Sequence, residues 1–373
     1  MTSSAELSVI VPTFNERENL AELVKRLASV LDGLAWEVIF VDDDSPDGTA
    51  ALARELARQD PRVRIVHRIN RRGLATACVE GMLASSAPYL AVMDADLQHD
   101  ESILPALLRA VKEEGFDIAV ASRYAEGGGL GDWASDRQTA SRLATRLSRL
   151  VIKAALKDPM SGYFLLKRDL LEETLGRLSG IGFKLLLDIF ASCQGLPRFI
   201  EIPYQFRPRW AGQSKLDNAA VWEYLMLLLD KALGHYIPVR FIPFALVGGA
   251  GVLVHLMVLW LVYDVRGAPF ATGQSLAALV AMTFNFFVNN LLTYRDRQLH
   301  GWGLLRGWIS FTLACSLGAI ANVGIATYAF ETQLVGETAW VLSACAGIIV
   351  GAVWNYAVTS VYTWNKVKGT GSG

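Results

Sequence analysis

The sequence predicts an α/β domain with a mostly parallel sheet, followed by an α-helical membrane domain of four transmembrane helices. Three observations support this prediction. Strand-like and helix-like segments alternate in the first part of the 373 residues, a pattern typical of a parallel sheet with helices on both faces. Most charged residues precede Arg240. The sequence after Arg240 contains four apolar segments, each near or above the ~20 residues that cross a bilayer as a helix.

Short apolar runs predict the strands of the first domain. They are Leu7–Val11, Trp36–Val41, Val63–Val66, Tyr89–Val92 and Asp117–Ala121. Arg17–Leu31 has the apolar spacing of an amphipathic helix. In sheets of this kind ligands bind at the carboxyl ends of the strands. The polar loops that begin there are therefore the candidate site, and they are Pro12–Glu16, Asp42–Thr49, Arg71–Leu74 and Asp94–Asp100.

The loop after the fourth strand has the composition of a metal site. One residue separates Asp94 from Asp96, and Gln98 follows. Alternate side chains at a strand end share a face, so the two carboxylates converge. Carboxylate and amide oxygens suit a hard divalent cation, here Mg2+ or Mn2+, which usually also binds a substrate phosphate. An acidic, solvated turn without a ligand is the alternative.

Composition and missing motifs argue against several functions. The net charge of −1 gives no support for nucleic-acid binding. A GxGxxG dinucleotide loop and a Walker loop are both absent from the sequence, which disfavours a dehydrogenase or an NTPase. The four cysteines are widely spaced and form no metal-binding pattern, so reduced, structural cysteines are expected.

Charges between the apolar segments predict their orientation in the membrane. The predicted spans run from Val239 to Tyr263, Phe270 to Leu292, Leu305 to Phe330 and Ala339 to Tyr362. Basic residues lie between the second and third spans and at the C-terminus, whereas Glu331 and Glu337 lie between the third and fourth. The positive-inside rule therefore predicts that the first domain and the C-terminus are cytoplasmic. We expect an integral protein of the plasma membrane.

The spans also contain an internal similarity. The second and fourth spans share a motif, in Asn285–Tyr294 and Asn355–Trp364. The first and third spans share spaced residues, which are Phe244, Gly251 and His255 in one and Phe311, Gly318 and Asn322 in the other. A duplicated helical hairpin is the simplest explanation, and chance similarity between apolar segments is the alternative.

Two segments are predicted to lie at the membrane surface. Gln138–Leu156 has a basic stripe beside an apolar one, which as a helix suits the headgroup region of an anionic leaflet. An ordinary surface helix is the alternative. Val221–Leu233 is rich in leucine and carries Trp222 and Tyr224. It is predicted to join the first domain to the first span as a second interfacial helix.

The motifs form an ordered set along the chain. Besides the loops above, the set includes Ser122–Tyr124, Asp158–Phe164, Gly182–Leu187 and the series Arg207-x-Arg209-x-x-Gly212-x-Ser214-Lys215. Together these motifs resemble those of family 2 glycosyltransferases with the α/β GT-A (Rossmann-like) fold, specifically the dolichol-phosphate (polyprenyl-phosphate) mannose synthases. The four spans resemble the GtrA-like membrane domain that some members carry. The resemblance covers nearly the whole chain.

The resemblance implies a role for each matching residue. The metal ion and the donor diphosphate are held by Asp94, Asp96 and Gln98. Further contacts to the donor nucleotide are implied for Pro12, Thr13, Glu16, Asp42, Asp44, Arg209 and Lys215. The acceptor phosphate is bound by Arg123, Arg137 and Ser141, and a guanidinium suits it because its planar donors match phosphate oxygens. The implied catalytic residues are Asp94, Asp96, Arg123 and Arg137.

The implied reaction is the inverting, metal-dependent transfer of mannose from GDP-mannose to a polyprenyl (dolichyl) monophosphate at the cytoplasmic membrane face. Membrane lipid is an expected partner. Two alternatives stay open, a polyprenyl-phosphate glucosyltransferase that uses UDP-glucose and a lipid-sugar transporter with a regulatory soluble domain. The predicted domains are a GT-A domain over 1–212, an interfacial linker helix over 213–236, a GtrA-like domain over 237–368 and a tail over 369–373 that resembles the remnant of an expression tag.

Overall fold

The computed structural model describes residues 5–129, 144–207, 218–234, 236–331 and 339–364. It divides into two compact units, Met1–His235 and Tyr236–Gly373. The first unit contains the sheet and the candidate site, and the second consists of long helices.

The first unit is built on a seven-stranded sheet with the order β3-β2-β1-β4-β6-β5-β7. The strands are β1 (Leu7–Thr13), β2 (Trp36–Asp42), β3 (Val63–His67), β4 (Tyr89–Val92), β5 (Ile118–Ser122), β6 (Phe164–Lys167) and β7 (Phe199–Pro203). Strand β6 runs antiparallel to β4 and β5, and the other described neighbours are parallel. The prediction of a mostly parallel sheet is confirmed, whereas β6 and β7 were not predicted as strands.

Helices cover both faces of the sheet because alternate strand residues point to opposite sides. In β1, Ile10 packs into one apolar core, while Val9 and Val11 pack into the other. The helices of this unit are α1 (Arg17–Val30), α2 (Thr49–Gln59), α3 (Leu74–Ala84), α4 (Leu104–Lys112), α5 (144–148), α6 (Arg168–Leu175), α7 (Leu185–Ser192) and α8 (Asn218–Leu233). The helix predicted from Arg17 is confirmed as α1.

The prediction of a basic helix over Gln138–Leu156 is wrong for the second half of that segment. Helix α5 ends at Ser148, and the chain from Val151 to Asp158 is not helical. Alternate residues along it are buried in the core, and they are Ile152, Ala154 and Leu156. These residues also fit the period of two that an extended segment needs, and their burial outweighs the helical spacing of the charges. Residues 138–143 lie outside the described ranges.

Helix α8 includes the segment Val221–Leu233 that was predicted as a helix. Tyr224, Leu227 and Leu228 of α8 are buried in one apolar core of the first unit. The Tyr224 hydroxyl also donates to the carbonyl of Ala144 over 2.6 Å. Its packing therefore fixes α8 to the sheet domain, and its location at a membrane surface stays a prediction.

The second unit contains four long helices within its described residues. They are α9 (Phe241–Leu259), α10 (Phe270–Val288), α11 (Trp302–Glu331) and α12 (Ala339–Tyr362). Two helical segments are long and apolar enough to cross a bilayer, Phe241–Val265 with a mean hydropathy of 2.2 and Thr272–Thr293 with 1.5. The crossing of the membrane by α11 and α12 stays a prediction.

Equivalent residues of the two similar hairpins make equivalent contacts. The amide of Asn285 fills the space beside Gly251, and the amide of Asn355 fills the space beside Gly318. A Cβ atom at either glycine would overlap the amide. Close approach of helices through small residues is the usual way in which membrane helices pack, so both hairpins use the same device.

Aromatic contacts between the hairpins are reciprocal. The first helix of each hairpin contacts the second helix of the other, with ring centroids 5.5 and 5.8 Å apart in the pairs Phe244–Tyr356 and Phe311–Phe286. The equivalent residues Tyr294 and Trp364 stack on each other, with centroids 4.0 Å apart and an interplanar angle of 6°. Reciprocal contacts of this kind are typical of two copies related by an approximate two-fold axis, which supports the duplicated hairpin over chance similarity.

Candidate functional site

The loops after β1 and β2 are joined by hydrogen bonds to one carboxylate. Asp42 is fully buried at the end of β2. Its side chain accepts hydrogen bonds from the Thr13 hydroxyl at 3.1 Å, the Ser45 amide at 3.0 Å and the Ser45 hydroxyl at 2.6 Å. Ser45 in turn accepts from the Asn15 amide at 2.9 Å. Asp42 and Thr13, at the ends of β2 and β1, therefore hold the two loops together.

The two aspartates after Asp42 bond to the loop after β3. Asp43 accepts from the Arg68 guanidinium and from the Gly73 amide, both at 2.7 Å. Asp44 accepts from the Asn70 amide, and it lies 3.1 Å from the His67 ring. The hydrogen bond from the Asn70 backbone is the largest cause that lowers the pKa of Asp44, and the hydrogen bond with His67 is the next. Its side chain is 40% exposed, so Asp44 is open to a ligand whereas Asp42 is not.

Glu16 lies at the start of α1, beside the same loops. Its amide donates to the Thr49 hydroxyl at 3.0 Å, and its carboxylate accepts from Asn19 at 2.7 Å. The structure thus brings the predicted donor-nucleotide residues Pro12, Thr13, Glu16, Asp42 and Asp44 to adjoining loops at one edge of the sheet.

Asp94 and Asp96 lie in the loop after β4, next to the end of β1. The backbone of this loop bends sharply at Leu97, whose φ of 61° is in the left-handed region, a conformation that costs about 1–3 kcal/mol for a residue of this kind. The backbone N–H of Gln98 donates to the Asp96 carboxylate at 3.1 Å. The side chain of Asp94 is 41% exposed, whereas Asp96 is buried.

The oxygens of this loop fit a hard cation that also binds a ligand phosphate. Within the described residues, no group of three or more His, Cys, Asp or Glu side chains has the geometry of a complete metal site. Mg2+ is commonly held by one or two carboxylates together with substrate phosphates, so Asp94 and Asp96 need not form a complete cage. Gly162 leaves room beside Asp94, since a Cβ there would lie 3.4 Å from its carboxylate.

Arg207 holds the loop after β4 in place through hydrogen bonds and ion pairs. The Gln98 side-chain amide donates to the Arg207 carbonyl at 3.1 Å, and the Arg207 amide donates to the Gln98 carbonyl at 2.9 Å. The Arg207 guanidinium also pairs with Asp100 at 2.7 Å and Glu101 at 2.8 Å. The side-chain oxygen of Gln98 is the atom of this amide that suits a hard cation, because an amide nitrogen is a donor only.

His99 is buried behind the loop among aromatic rings. It stacks on Tyr163 with ring centroids 5.0 Å apart, and Tyr204 and Phe206 contact it edge-on at 5.9 Å. Its Nδ1 accepts the backbone N–H of Asp94 at 3.1 Å. Burial lowers the pKa of His99 to about 4, so the imidazole is neutral at neutral pH.

The buried neutral histidine predicts how stability depends on pH. An unfolded histidine titrates near 6.5 and His99 near 4, so the unfolded chain binds the proton first as the pH falls. The contribution of His99 to the free energy of unfolding is therefore complete above pH 6.5. It is lost as the pH falls through 4, and the total loss is about 3 kcal/mol. The thermal midpoint of the full chain in detergent should decrease when the pH is lowered from 7 to 4.5. His99→Phe should show a weaker dependence, and an equal dependence in both proteins would contradict the prediction.

Arg123 follows β5 and forms a buried ion pair. Its Nε and one terminal nitrogen donate to the two oxygens of Asp158, each at 2.8 Å, and its backbone amide donates to Asp158 at 3.1 Å. The side chains of Arg123 and Asp158 are 9% and 0% exposed. Asp158 thus fixes the guanidinium at the carboxyl end of β5, on the same edge of the sheet as Asp94.

Lys184 adds a second cation near Arg123. Its ammonium donates to the Met160 carbonyl at 3.2 Å, and no ion pair joins it to a carboxylate of the described residues. Burial and the charge of Arg123 lower its pKa to about 8. In the sequence, Lys184 belongs to the motif Gly182–Leu187, which does not by itself indicate a role for the lysine. A cationic pair of this kind suits an anionic ligand.

Four predicted site residues lie outside the described ranges, and they are Arg137, Ser141, Arg209 and Lys215. The described candidates converge on one edge of the sheet. Sequence reasoning missed Asp158, His99 and Arg207 as individual contributors. Their only signal in the sequence was membership of a motif. Asp158 and Arg207 bond to residues far away in the sequence, whereas His99 bonds to Asp94, five positions away.

Comparison with known proteins identifies both units. Residues 8–175 match the family described as glycosyl transferase family 2. Residues 243–364 match the GtrA/DPMS transmembrane domain. The second unit is therefore a membrane domain.

Three relatives resemble the chain over long alignments. A dolichol-phosphate mannosyltransferase of Pyrococcus furiosus is 33% identical over 361 residues, which cover 96% of this chain and 99% of that protein. The dolichol-phosphate mannosyltransferase of Saccharomyces cerevisiae is 38% identical over 61% of this chain and 87% of its own length. The polyprenol monophosphomannose synthase of Mycolicibacterium smegmatis is 36% identical over 60% of this chain and 85% of its own length. The chain is therefore an enzyme of glycosyltransferase family 2 and belongs to its dolichol-phosphate mannosyltransferase group, with a GtrA/DPMS transmembrane domain.

Proposed function

We propose that this protein transfers mannose from GDP-mannose to a polyprenyl monophosphate, with inversion at the sugar carbon. The observation that carries the proposal is the full-length similarity to the Pyrococcus furiosus dolichol-phosphate mannosyltransferase, which spans 96% of this chain and 99% of that protein. Both the sheet domain and the membrane domain are included in that alignment. The site at the strand ends supplies groups for each part of such a reaction.

The donor nucleotide is assigned to the loops after β1 and β2. The Asp44 side chain is 40% exposed, and a carboxylate there suits the hydroxyls of a ribose or the N–H groups of a guanine. The same region includes Pro12, Thr13, Glu16 and Asp42, which are linked through these loops. Arg209 and Lys215 are assigned to the donor diphosphate because cations suit phosphate oxygens.

The donor diphosphate is assigned to Asp94, Asp96 and Gln98 through Mg2+ or Mn2+. When bound, the cation supplies a Lewis acid that stabilises the negative charge on the departing diphosphate. The chain contributes the oxygens and their orientation, through the bond from the Gln98 amide to Asp96 and the bonds between Gln98 and Arg207.

The acceptor phosphate is assigned to Arg123, with Arg137 and Ser141, and Lys184 adds charge beside it. A phosphate monoester has its second pKa near 6, so its oxygen is already anionic at neutral pH and needs no strong general base. That oxygen attacks the sugar carbon, the bond from this carbon to the diphosphate breaks, and the nucleoside diphosphate leaves. A single displacement of this kind inverts the configuration.

The membrane arrangement completes the proposal. We assign four membrane crossings to α9, α10, α11 and α12, with the catalytic domain and the C-terminus in the cytoplasm and the protein in the plasma membrane. The basic residues at Arg295, Arg297 and Arg306 support this orientation by the positive-inside rule. We propose domain boundaries at 1–212, 213–236 and 237–368, with 369–373 as a tail, and the linker segment 213–236 includes α8, which packs on the first unit.

The experiment compares donors with the purified full chain in detergent. Radiolabelled GDP-mannose and UDP-glucose are each supplied with Mg2+ or Mn2+ and a short polyprenyl phosphate, and the lipid-extracted label is measured. We expect label from GDP-mannose in the lipid only when the acceptor is present. Transfer from UDP-glucose at an equal or higher rate would favour the glucosyltransferase, and no transfer from either donor would overturn the proposal.

A further inference from the structure

We propose that His99 is a positioning residue that holds Asp94 in the orientation needed to bind the cation. The inference rests on the proposed function, because it takes Asp94 and Asp96 as cation ligands. His99 itself lies behind the loop, with a side chain only 4% exposed. It therefore acts through Asp94 and not on the substrate.

The hydrogen bond to the Asp94 backbone fixes the tautomer of His99. A backbone N–H is always a donor, so Nδ1 of His99, 3.1 Å from the Asp94 nitrogen, is an acceptor. A neutral imidazole that accepts at Nδ1 carries its proton on Nε2. The N–H of His99 therefore belongs to the nitrogen on the far side of the ring.

That nitrogen faces the carboxylate of the same aspartate. Nε2 of His99 lies 3.7 Å from Oδ2 of Asp94, longer than a hydrogen bond but near enough for the N–H dipole to attract the negative oxygen. One imidazole thus contacts both the backbone and the side chain of Asp94. Gly162 lies beside the same oxygen, where a Cβ atom would be 3.4 Å from it.

The surrounding rings keep His99 itself in one orientation. Tyr163 stacks on one face with an interplanar angle of 17°, and Tyr204 and Phe206 contact the ring edge-on. The Tyr163 hydroxyl donates to the Asp100 carbonyl at 3.1 Å, one residue beyond His99. The histidine and its stacking partner are thus tied to the loop that carries the aspartates. A metal ligand oriented by an outer hydrogen-bonded group commonly loses 10- to 100-fold in metal affinity when that group is removed.

The test measures Mn2+ binding directly, by electron paramagnetic resonance of the free ion in the presence of GDP. His99→Phe keeps a flat ring against Tyr163 but removes both contacts to Asp94. We expect its Mn2+ affinity to fall about 10- to 100-fold. His99→Asn places an acceptor near the position of Nδ1 and lacks the N–H that faces the carboxylate, so we expect a smaller loss. His300→Phe, an exposed histidine of the second unit, is the control and should bind Mn2+ as the unmodified protein does.

A positioning role also predicts that added metal restores activity. At saturating GDP-mannose, the transfer rate of His99→Phe should still increase at Mn2+ concentrations that already give the unmodified protein its maximal rate. Wild-type Mn2+ affinity in His99→Phe would overturn the inference, and if that variant does not fold, wild-type affinity in His99→Asn would overturn it. Failure of the unmodified protein with GDP to bind Mn2+ would instead overturn the metal assignment on which the inference rests.

Discussion

Replacement of Asp96 by asparagine is expected to reduce mannosyl transfer about a thousandfold, because a bound cation contributes several kcal/mol to stabilising the leaving group. The substitution keeps the shape of the side chain and the oxygen that accepts from the Gln98 amide. It removes the negative charge that would hold the cation. The measurement is the initial rate of label transfer from GDP-mannose to a polyprenyl phosphate, at several Mn2+ concentrations.

Asp60→Asn is the matched control for this change. Asp60 directly follows α2 and pairs with the exposed Arg62 at 2.7 Å, away from the strand ends where the candidate site lies. Surface pairs of this kind contribute about 0–1 kcal/mol, so this variant should transfer mannose at the normal rate. Undiminished transfer by a folded Asp96→Asn protein would contradict the metal assignment.

Removal of Asp158 is expected to destabilise the first unit and to abolish transfer. Asp158→Ala leaves the guanidinium of Arg123 buried without its partner, and the loss of one member of a buried ion pair typically costs about 3–5 kcal/mol. For a unit of this size such a loss lowers the thermal midpoint by about 10 °C. The measurement is thermal unfolding of the full chain in detergent, together with the transfer rate at a temperature where the variant is folded.

A double substitution separates stability from function at this pair. Arg123→Met with Asp158→Leu removes both charges, and apolar replacement of a buried pair is often neutral or stabilising. We expect its thermal midpoint to recover most of the loss, while transfer stays absent because Arg123 is assigned to the acceptor phosphate. Normal transfer by the double variant would show that Arg123 does not bind the acceptor.

The sheet could be predicted largely from local sequence patterns. The strands β1 to β5 are apolar runs separated by turn residues, and helix α1 shows a clear amphipathic spacing. Strand β6 was missed because Phe164–Lys167 is short and continues directly into helix α6. The wrong helix at Gln138–Leu156 has the opposite cause, since its charges fit a helix while Ile152, Ala154 and Leu156 are buried by contacts that are distant in sequence.

The candidate site was predictable where one loop carries the chemistry and not where distant segments meet. Asp94, Asp96 and Gln98 lie within five residues of one another and could be recognised together. The bond between Arg123 and Asp158 joins residues 35 positions apart, and that between Gln98 and Arg207 joins residues 109 apart. The role of Asp42 also depends on the fold, because only the pairing of β1 with β2 places it against Thr13.

The central claim is a single displacement that transfers mannose from GDP-mannose to a polyprenyl phosphate. It is tested most directly by the anomeric configuration of the isolated lipid product, measured by nuclear magnetic resonance of its sugar phosphate. Because the donor carries an α-linked mannose, the account predicts polyprenyl-phosphate-mannose with a β linkage, formed together with one GDP per mannose. An α-linked product, or a lipid product that carries another sugar, would contradict it.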